Sequence, residues 1–126
     1  MLKKNIYPIG RYRGVTKAVV AELVRNGFGV IHDWTEEGSS ETIDRSACAM
    51  EDIWAATHCD AVLMMWSDDM RGAWVEMGAA LAKGIPVIVV GVEKREFCIF
   101  MEHPAVIHFP SLADAIAFMR RQNGEA

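Results

Sequence analysis

The sequence predicts a three-layer α/β sandwich, with helices on both faces of a parallel five-stranded sheet. Three observations lead there. Strand-length apolar segments alternate with helix-period segments along the 126 residues. Two of the strand segments, "CDAVLMMW" and "IPVIVVG", are apolar at nearly every position, as strands covered on both faces must be. The connections carry Gly, Ser and clustered charge, which is loop chemistry.

Each element has its own signal. "KNIYPIG" reads as the first strand and breaks at Gly10. Val15, Val19 and Leu23 recur every fourth residue, so a helix is expected over Val15–Asn26, with Gly27 as its C-terminal cap. "FGVIHD" is the second strand and "WTEEGSSET" a polar surface loop. Ile43–Thr57 reads as the second helix, "CDAVLMMW" as the third strand and "SDDMRG" as a second charged loop. Ala73–Lys83 is the third helix, stopped by Gly84. "IPVIVVG" is the fourth strand, with its proline near the start, where a missing N–H is tolerated. "VEKREFCIFMEHP" reads as irregular or briefly helical, and "AVIHF" as a short fifth strand. "SLADAIAFMRRQ" is a last helix with Ser111 as N-cap and arginines in its final turn. Five strands fit a flavodoxin-like, Rossmann-like order with right-handed crossovers.

Composition narrows the functional classes. Hydrophobic residues at 52% and charged residues at 24% are globular proportions, and residues 1–126 are expected to form one domain. A net charge of −4 and a pI near 5.5 argue against a nucleic-acid groove. Cys48, Cys59 and Cys98 are odd in number and form no C-x-x-C pair, which points to free thiols in a reducing cytosol. No signal-peptide pattern follows "MLKK", and the apolar run Ile85–Val92 is too short to cross a bilayer, so a cytoplasmic location is expected. The four histidines, His32, His58, His103 and His108, show no metal-ligand spacing, and no metal or organic cofactor is expected.

In sheets of this kind ligands sit beyond the carboxyl ends of the strands. The third helix places Glu76 there, among Ala73, Trp74, Val75, Met77, Gly78, Ala79 and Ala80. A first-turn glutamate is commonly there only to favour the helix dipole. This one has no polar face to join, and the small residues around it allow close approach of a ligand. An ionised carboxylate in that setting suits a nucleophile, and the dipole is expected to keep it charged. Asp68 and Asp69 precede the helix, where they fit either an N-cap or proton transfer and sugar binding. "GRYRG", residues 10–14, is neither a G-x-G-x-x-G nor a P-loop. It still offers Gly10, Arg11, Arg13 and Gly14 ahead of a helix N-terminus, an anion site or a plain solvated turn. Asp52 alone would pass for a solvated helix residue. Trp34, Trp66 and Trp74 fall at or near the ligand edge, as packing or as stacking surfaces for a base.

Three segments in order resemble the nucleoside 2-deoxyribosyltransferases and the 2'-deoxynucleoside 5'-monophosphate N-hydrolases. They are "IYPIGRYRG", "EDIWAATHCDAVLMMW" and "RGAWVEMGAALAKGIPVIVVG", the last similar to that family's E-x-G-x-A followed by G-K-P-V. The resemblance covers nearly the whole chain. It implies Glu76 as nucleophile, Asp52 as a sugar- or base-side carboxylate, Tyr7 as a hydroxyl beside the nucleophile and Arg13 as a phosphate ligand. It also implies that Gly72 stands in the substrate-binding loop and that a homodimer or higher oligomer shares its active sites. The chain departs from the family pattern at Met70, where a small or acidic residue is usual, and a phosphate-binding serine has no clear counterpart.

The expected activity is therefore cleavage or transfer of the N-glycosidic bond of a 2'-deoxynucleoside or its 5'-monophosphate, through a glycosyl ester on Glu76, with Asp69 or Asp68 protonating the base. Two rivals stand beside it: a non-catalytic nucleotide-sensing domain on the same fold, and a phosphoribohydrolase, whose double-glycine loop "SDDMRGAWVE" lacks.

Overall fold

The computed structural model describes residues 4–37, 44–91 and 98–124. The expected loop over residues 38–42 and the segment 92–97 lie outside them. Five parallel strands form one sheet: β1 (Asn5–Gly10), β2 (Gly29–Val30), β3 (Ala61–Met65), β4 (Val87–Val90) and β5 (Val106–Phe109). Their order is β2-β1-β3-β4-β5, the flavodoxin-like arrangement expected from the sequence.

The period-2 alternation of the strands sorts their side chains into two cores. Tyr7, Ile9, Val62, Met64, Val87 and Val89 face one layer, and Ile6, Leu63, Ile88 and Val90 face the other. On the first face pack α2 (Arg45–His58), through Ala55 and Ala56, and α3 (Gly72–Ala82), through Ala73, Met77 and Ala80. On the second pack α1 (Arg13–Arg25), through Val19 and Leu23, and α4 (Leu112–Gln122), through Ala115, Ile116 and Met119. Small residues on α2 and α3 bring those helices close to the sheet.

The ends of the elements follow local chemistry. Asp44 caps α2 by accepting from the Ala47 N–H at 3.0 Å, and Ser111 caps α4 by accepting from Asp114 at 3.2 Å. After α1 and α3 the chain turns through Gly27 and Gly84 at φ +85° and +75°, the left-handed region that glycine occupies without strain. No helix among the described residues is long and apolar enough to cross a membrane.

Of the boundaries that differ from the sequence expectation, two bear on the site. Helix α1 starts at Arg13, two residues early, because both the N–H and the hydroxyl of buried Thr16 donate to the Tyr12 carbonyl at 3.1 Å and close the first turn there. Arg13 and Gly14 thus belong to the helix, not to the preceding loop. Strand β2 spans two residues of the six in "FGVIHD". The Ile6 carbonyl accepts from Ile31 on the β2 side, and Pro8, two residues on, faces the same side without an N–H to offer. The ladder stops at that point, and the indole of Trp34 donates to the Pro8 carbonyl at 3.0 Å in place of a strand.

Candidate active site

Strand order reverses between β1 and β3, so the connections leaving their carboxyl ends diverge and open a crevice. A cavity of about 180 Å³ lies there, lined by Gly10, Arg11, Trp34, Asp52, Arg71, Gly72, Ala73 and Glu76. These residues come from the β1–α1 connection, the β2–α2 connection, α2 and the start of α3. Pockets that enclose a drug-sized ligand run to about 300–1,000 Å³, so the cavity takes part of a nucleotide rather than all of it.

Glu76 is held by Tyr7. The tyrosine lies in the middle of β1 and is fully buried, and its hydroxyl donates to Glu76 Oε2. A buried phenol needs an acceptor and a partly buried carboxylate needs a donor, and each satisfies the other. Gly72 leaves room beside the other oxygen: a Cβ there would stand 4.0 Å from Oε1.

The ionisation of Glu76 departs from the expectation that the helix dipole keeps it charged. With α3 starting at Gly72, Glu76 is past the first turn, where the dipole fades. Burial dominates and raises its pKa from the ordinary carboxyl range to about 7; the Tyr7 hydrogen bond opposes this, while the charges of Asp52 and Glu37 add to it. Burial likewise lifts Tyr7 far above an ordinary phenol, with the Glu76 charge pushing the same way, so Tyr7 stays a neutral donor.

Asp52 is the second carboxylate on the cavity wall. His32 Nε2 lies 3.0 Å from its Oδ1 and 3.4 Å from Glu37 Oε2. Burial, then repulsion from Glu37, raises Asp52 to about 6 against the opposing effect of His32. The His32 ring also approaches the Tyr7 ring, with centroids 6.1 Å apart.

The remaining expected site residues divide between the cavity and its surroundings. Gly10, Arg11 and Gly72 line it. Asp69 does not. It is exposed, accepts the Tyr12 hydroxyl at 2.5 Å, and is held below the ordinary carboxylate range chiefly by that bond. Asp68 is exposed and also outside the lining, as is Gly14. Arg13 Nη1 donates to the carbonyls of Thr35 at 2.7 Å and Glu37 at 2.6 Å, and its guanidinium lies 6.0 Å from the centre of the Trp34 ring. Its work is to fasten the β2–α2 connection. Sequence reading passed over Arg71, His32 and Glu37. Arg71 was visible as a cation next to Gly72, whereas His32 and Glu37 carry no local pattern that sets them apart.

No protein-family model matches the chain. Comparison with curated proteins also gives no match. Among solved structures the chain is similar to the CMP N-glycosidase BcmB of Clostridium botulinum, with a TM-score of 0.66 and 16% identity. The likeness covers 94% of this chain and 99% of that one. At that identity it is a likeness of fold.

The raised pKa of Glu76 makes a stability prediction. Its folded-state pKa lies above the unfolded value, so the folded protein holds this proton more tightly. The stability that results is complete below the unfolded value near 4.5 and is lost as pH rises through about 7. Glu76→Gln keeps an acceptor for Tyr7 and removes the charge. It is expected to be more stable than wild type at pH 8, by on the order of 2–3 kcal/mol, and to show little gain at pH 4.5. Thermal melts of both proteins at the two pH values check this; an equal gain at both, or none at pH 8, counts against burial as the cause.

Proposed function

We propose that the chain breaks the N-glycosidic bond of a nucleotide, with Glu76 as the nucleophile. The observation that carries this reading is the Glu76 carboxyl itself. It is partly buried, aimed by Tyr7, and shares one cavity with a second carboxyl and two arginines at the switch point of the sheet. The BcmB fold, described for an enzyme named as a CMP N-glycosidase, supports the same class of chemistry.

A Glu76 oxygen bonds to C1' as the C1'–N bond breaks. In the reacting form Glu76 is ionised and Asp52 carries the proton; the bonding pair leaves with the base, which takes that proton. Asp52 suits this role better than Asp69 because it lines the cavity and is held by His32, while Asp69 faces Tyr12. Water or a second base then attacks C1', gives a proton back to Asp52 and releases Glu76; water makes the enzyme a hydrolase and a base makes it a transferase. The resemblance in sequence favours a 2'-deoxyribose, whereas the structural neighbour's name specifies a ribonucleotide. Incubating the protein with paired nucleosides and 5'-monophosphates of both sugars, CMP and dCMP among them, and separating free base by chromatography is expected to show base release from at least one. Glu76→Ala is expected to lower that rate by about 10⁴-fold or more with the fold intact. Tight nucleotide binding without base release would favour the sensing domain instead.

A phosphate on the substrate would meet Arg11 and Arg71. Both line the cavity, Arg71 at the N-cap position of α3, where free N–H groups add to an anion site. Arg13 is less available because carbonyls occupy its Nη1. A charge-assisted contact contributes about 1.5–3 kcal/mol. Arg71→Ala is therefore expected to cut kcat/KM for a 5'-monophosphate by about ten- to a hundredfold and to spare the free nucleoside. Equal losses on both substrates would remove Arg71 from the phosphate.

Oligomerisation fits the outer face of the α2–α3 layer. Met50, Ile53 and Trp54 of α2, Val75 of α3, and Ile99 and Phe100 are exposed, and the outward residues of α3 carry no charge before Lys83. An apolar patch of this kind marks an association surface. Light scattering at micromolar concentration is expected to give a dimer or larger even assembly for wild type and a smaller species for Val75→Arg; a wild-type monomer overturns the idea.

A further inference from the structure

His32, Glu37 and Asp52 bring three donor atoms of metal-ligating type together. The imidazole nitrogen and one oxygen of each carboxyl all lie within 4.8 Å of one another. His32 Nε2 is 3.0 Å from Asp52 Oδ1 and 3.4 Å from Glu37 Oε2. For metal–ligand bonds of about 2.0–2.2 Å, neighbouring ligands stand roughly 3.0 Å apart in octahedral geometry and 3.4 Å apart in tetrahedral geometry. The spacing here therefore suits one small ion as well as it suits hydrogen bonds. Linear spacing in the sequence gave no hint of this, since the histidine and Glu37 flank a 3₁₀ turn (Trp34–Glu36) and Asp52 comes from α2.

The surroundings hold these groups in place. Arg13 fastens the Glu37 carbonyl, and the Asp33 side chain accepts from both the N–H and the hydroxyl of Thr35 inside the turn. Asp52 sits on a regular helix and has buried Ala55 and Ala56 just beyond it. The Cys48 thiol, one turn before Asp52 on α2, interacts with Glu37 and borders the cluster. All three side chains are partly buried, with 16–26% of their surface exposed, which limits competition from water while leaving an entry path. These contacts fix the backbone that carries Glu37 and Asp52.

We propose that His32, Glu37 and Asp52 bind a divalent transition-metal ion of the zinc class. One imidazole and two carboxylates suit zinc or cobalt better than calcium or magnesium, which prefer all-oxygen shells. Three protein ligands leave further positions to water, as in open metal sites. The ion bonds to the Asp52 oxygen that faces His32. Resting on the N-glycosidase reading, such an ion inhibits base release, because it occupies the Asp52 carboxyl on the wall of the Glu76 cavity.

The test begins without substrate. The metal-free full-length chain is titrated with Co²⁺, followed by its visible ligand-field absorption, and then with Zn²⁺ in competition. One Co²⁺ per chain is expected, displaced by Zn²⁺. His32→Gln and Glu37→Gln are each expected to weaken Zn²⁺ binding at least about tenfold, with circular dichroism confirming that both fold. His58→Gln, a histidine stacked on Trp54, serves as the control and is expected to bind as wild type does. Wild type with no one-to-one binding overturns the proposal. So does undiminished affinity in both cluster variants, or binding lost in Cys48→Ser but kept in His32→Gln, which would mark a thiolate site instead. A second arm adds Zn²⁺ to any base-release assay and expects inhibition with a midpoint at the measured Kd. The binding arm stands or falls by itself if the chain releases no base.

Discussion

The hydrogen bond from Tyr7 to Glu76 is the contact on which the arrangement of the site depends. It joins a residue in the middle of β1 to a residue on α3, across 69 positions of sequence. Tyr7 has no accessible surface, so its hydroxyl must find a partner inside the protein, and Glu76 supplies it. Each group can therefore be placed only when the other is. Tyr7 is in register with Val62 of β3, and β3 leads into α3, so the sheet itself sets the distance that this bond spans. The β1–α1 and β3–α3 connections then lie on either side of Glu76, which is why Gly10 and Arg11 meet Arg71 and Gly72 across one cavity.

Charge in this small volume is unbalanced by design of the fold rather than by a local motif. The charges of Asp52 and Glu37 raise the proton affinity of Glu76, Glu37 raises that of Asp52, and His32 opposes both shifts. The largest influence on both raised carboxyls is burial, and the pairwise effects come after it. A helix rich in Ala, Gly and Met therefore helps to set the ionisation of Glu76. A polar α3 would let water reach Glu76 and return its carboxyl toward ordinary values. Protons in such a cluster belong to the group of side chains rather than to any one of them.

The parts of the protein legible in its sequence are those that packing dictates. β3 and β4 announced themselves as continuous apolar runs, and the strand order followed from their alternation with helices. Three residues singled out in the sequence come together in space: Tyr7 bonds Glu76, and Asp52 lines the same cavity as Glu76. Glu76 had a physical signal, a lone carboxylate in an apolar helix, while Tyr7 and Asp52 came through resemblance. What stayed hidden depends on contacts far apart in the chain. The shortness of β2 follows from Pro8 on the neighbouring strand. Asp69 is seven residues from Glu76 in sequence, yet it turns to Tyr12, whereas Asp52 reaches the cavity from another helix. Arg13 looked like an anion ligand while it was assigned to a loop. Once Thr16 closes the turn onto Tyr12, Arg13 becomes the first residue of α1 and its side chain serves the β2–α2 connection.

A carboxyl raised to about 7 also places a demand on the rest of the fold. Keeping it charged at neutral pH costs on the order of a few kcal/mol, a sizeable share of the roughly 5–15 kcal/mol by which domains are stable. The offset lies on the same helix. Ala73, Met77 and Ala80 are buried against β1, β3 and β4, and full burial of a methionine-sized side chain contributes about 1.5–3 kcal/mol. Met77 alone is therefore of the same magnitude as the electrostatic penalty of its neighbour. The apolar positions that fix α3 to the sheet hold Glu76 where its charge is unfavourable for stability and where it faces the cavity. A substitution that loosened Met77 would release the carboxylate toward water and weaken the site before it unfolded the protein.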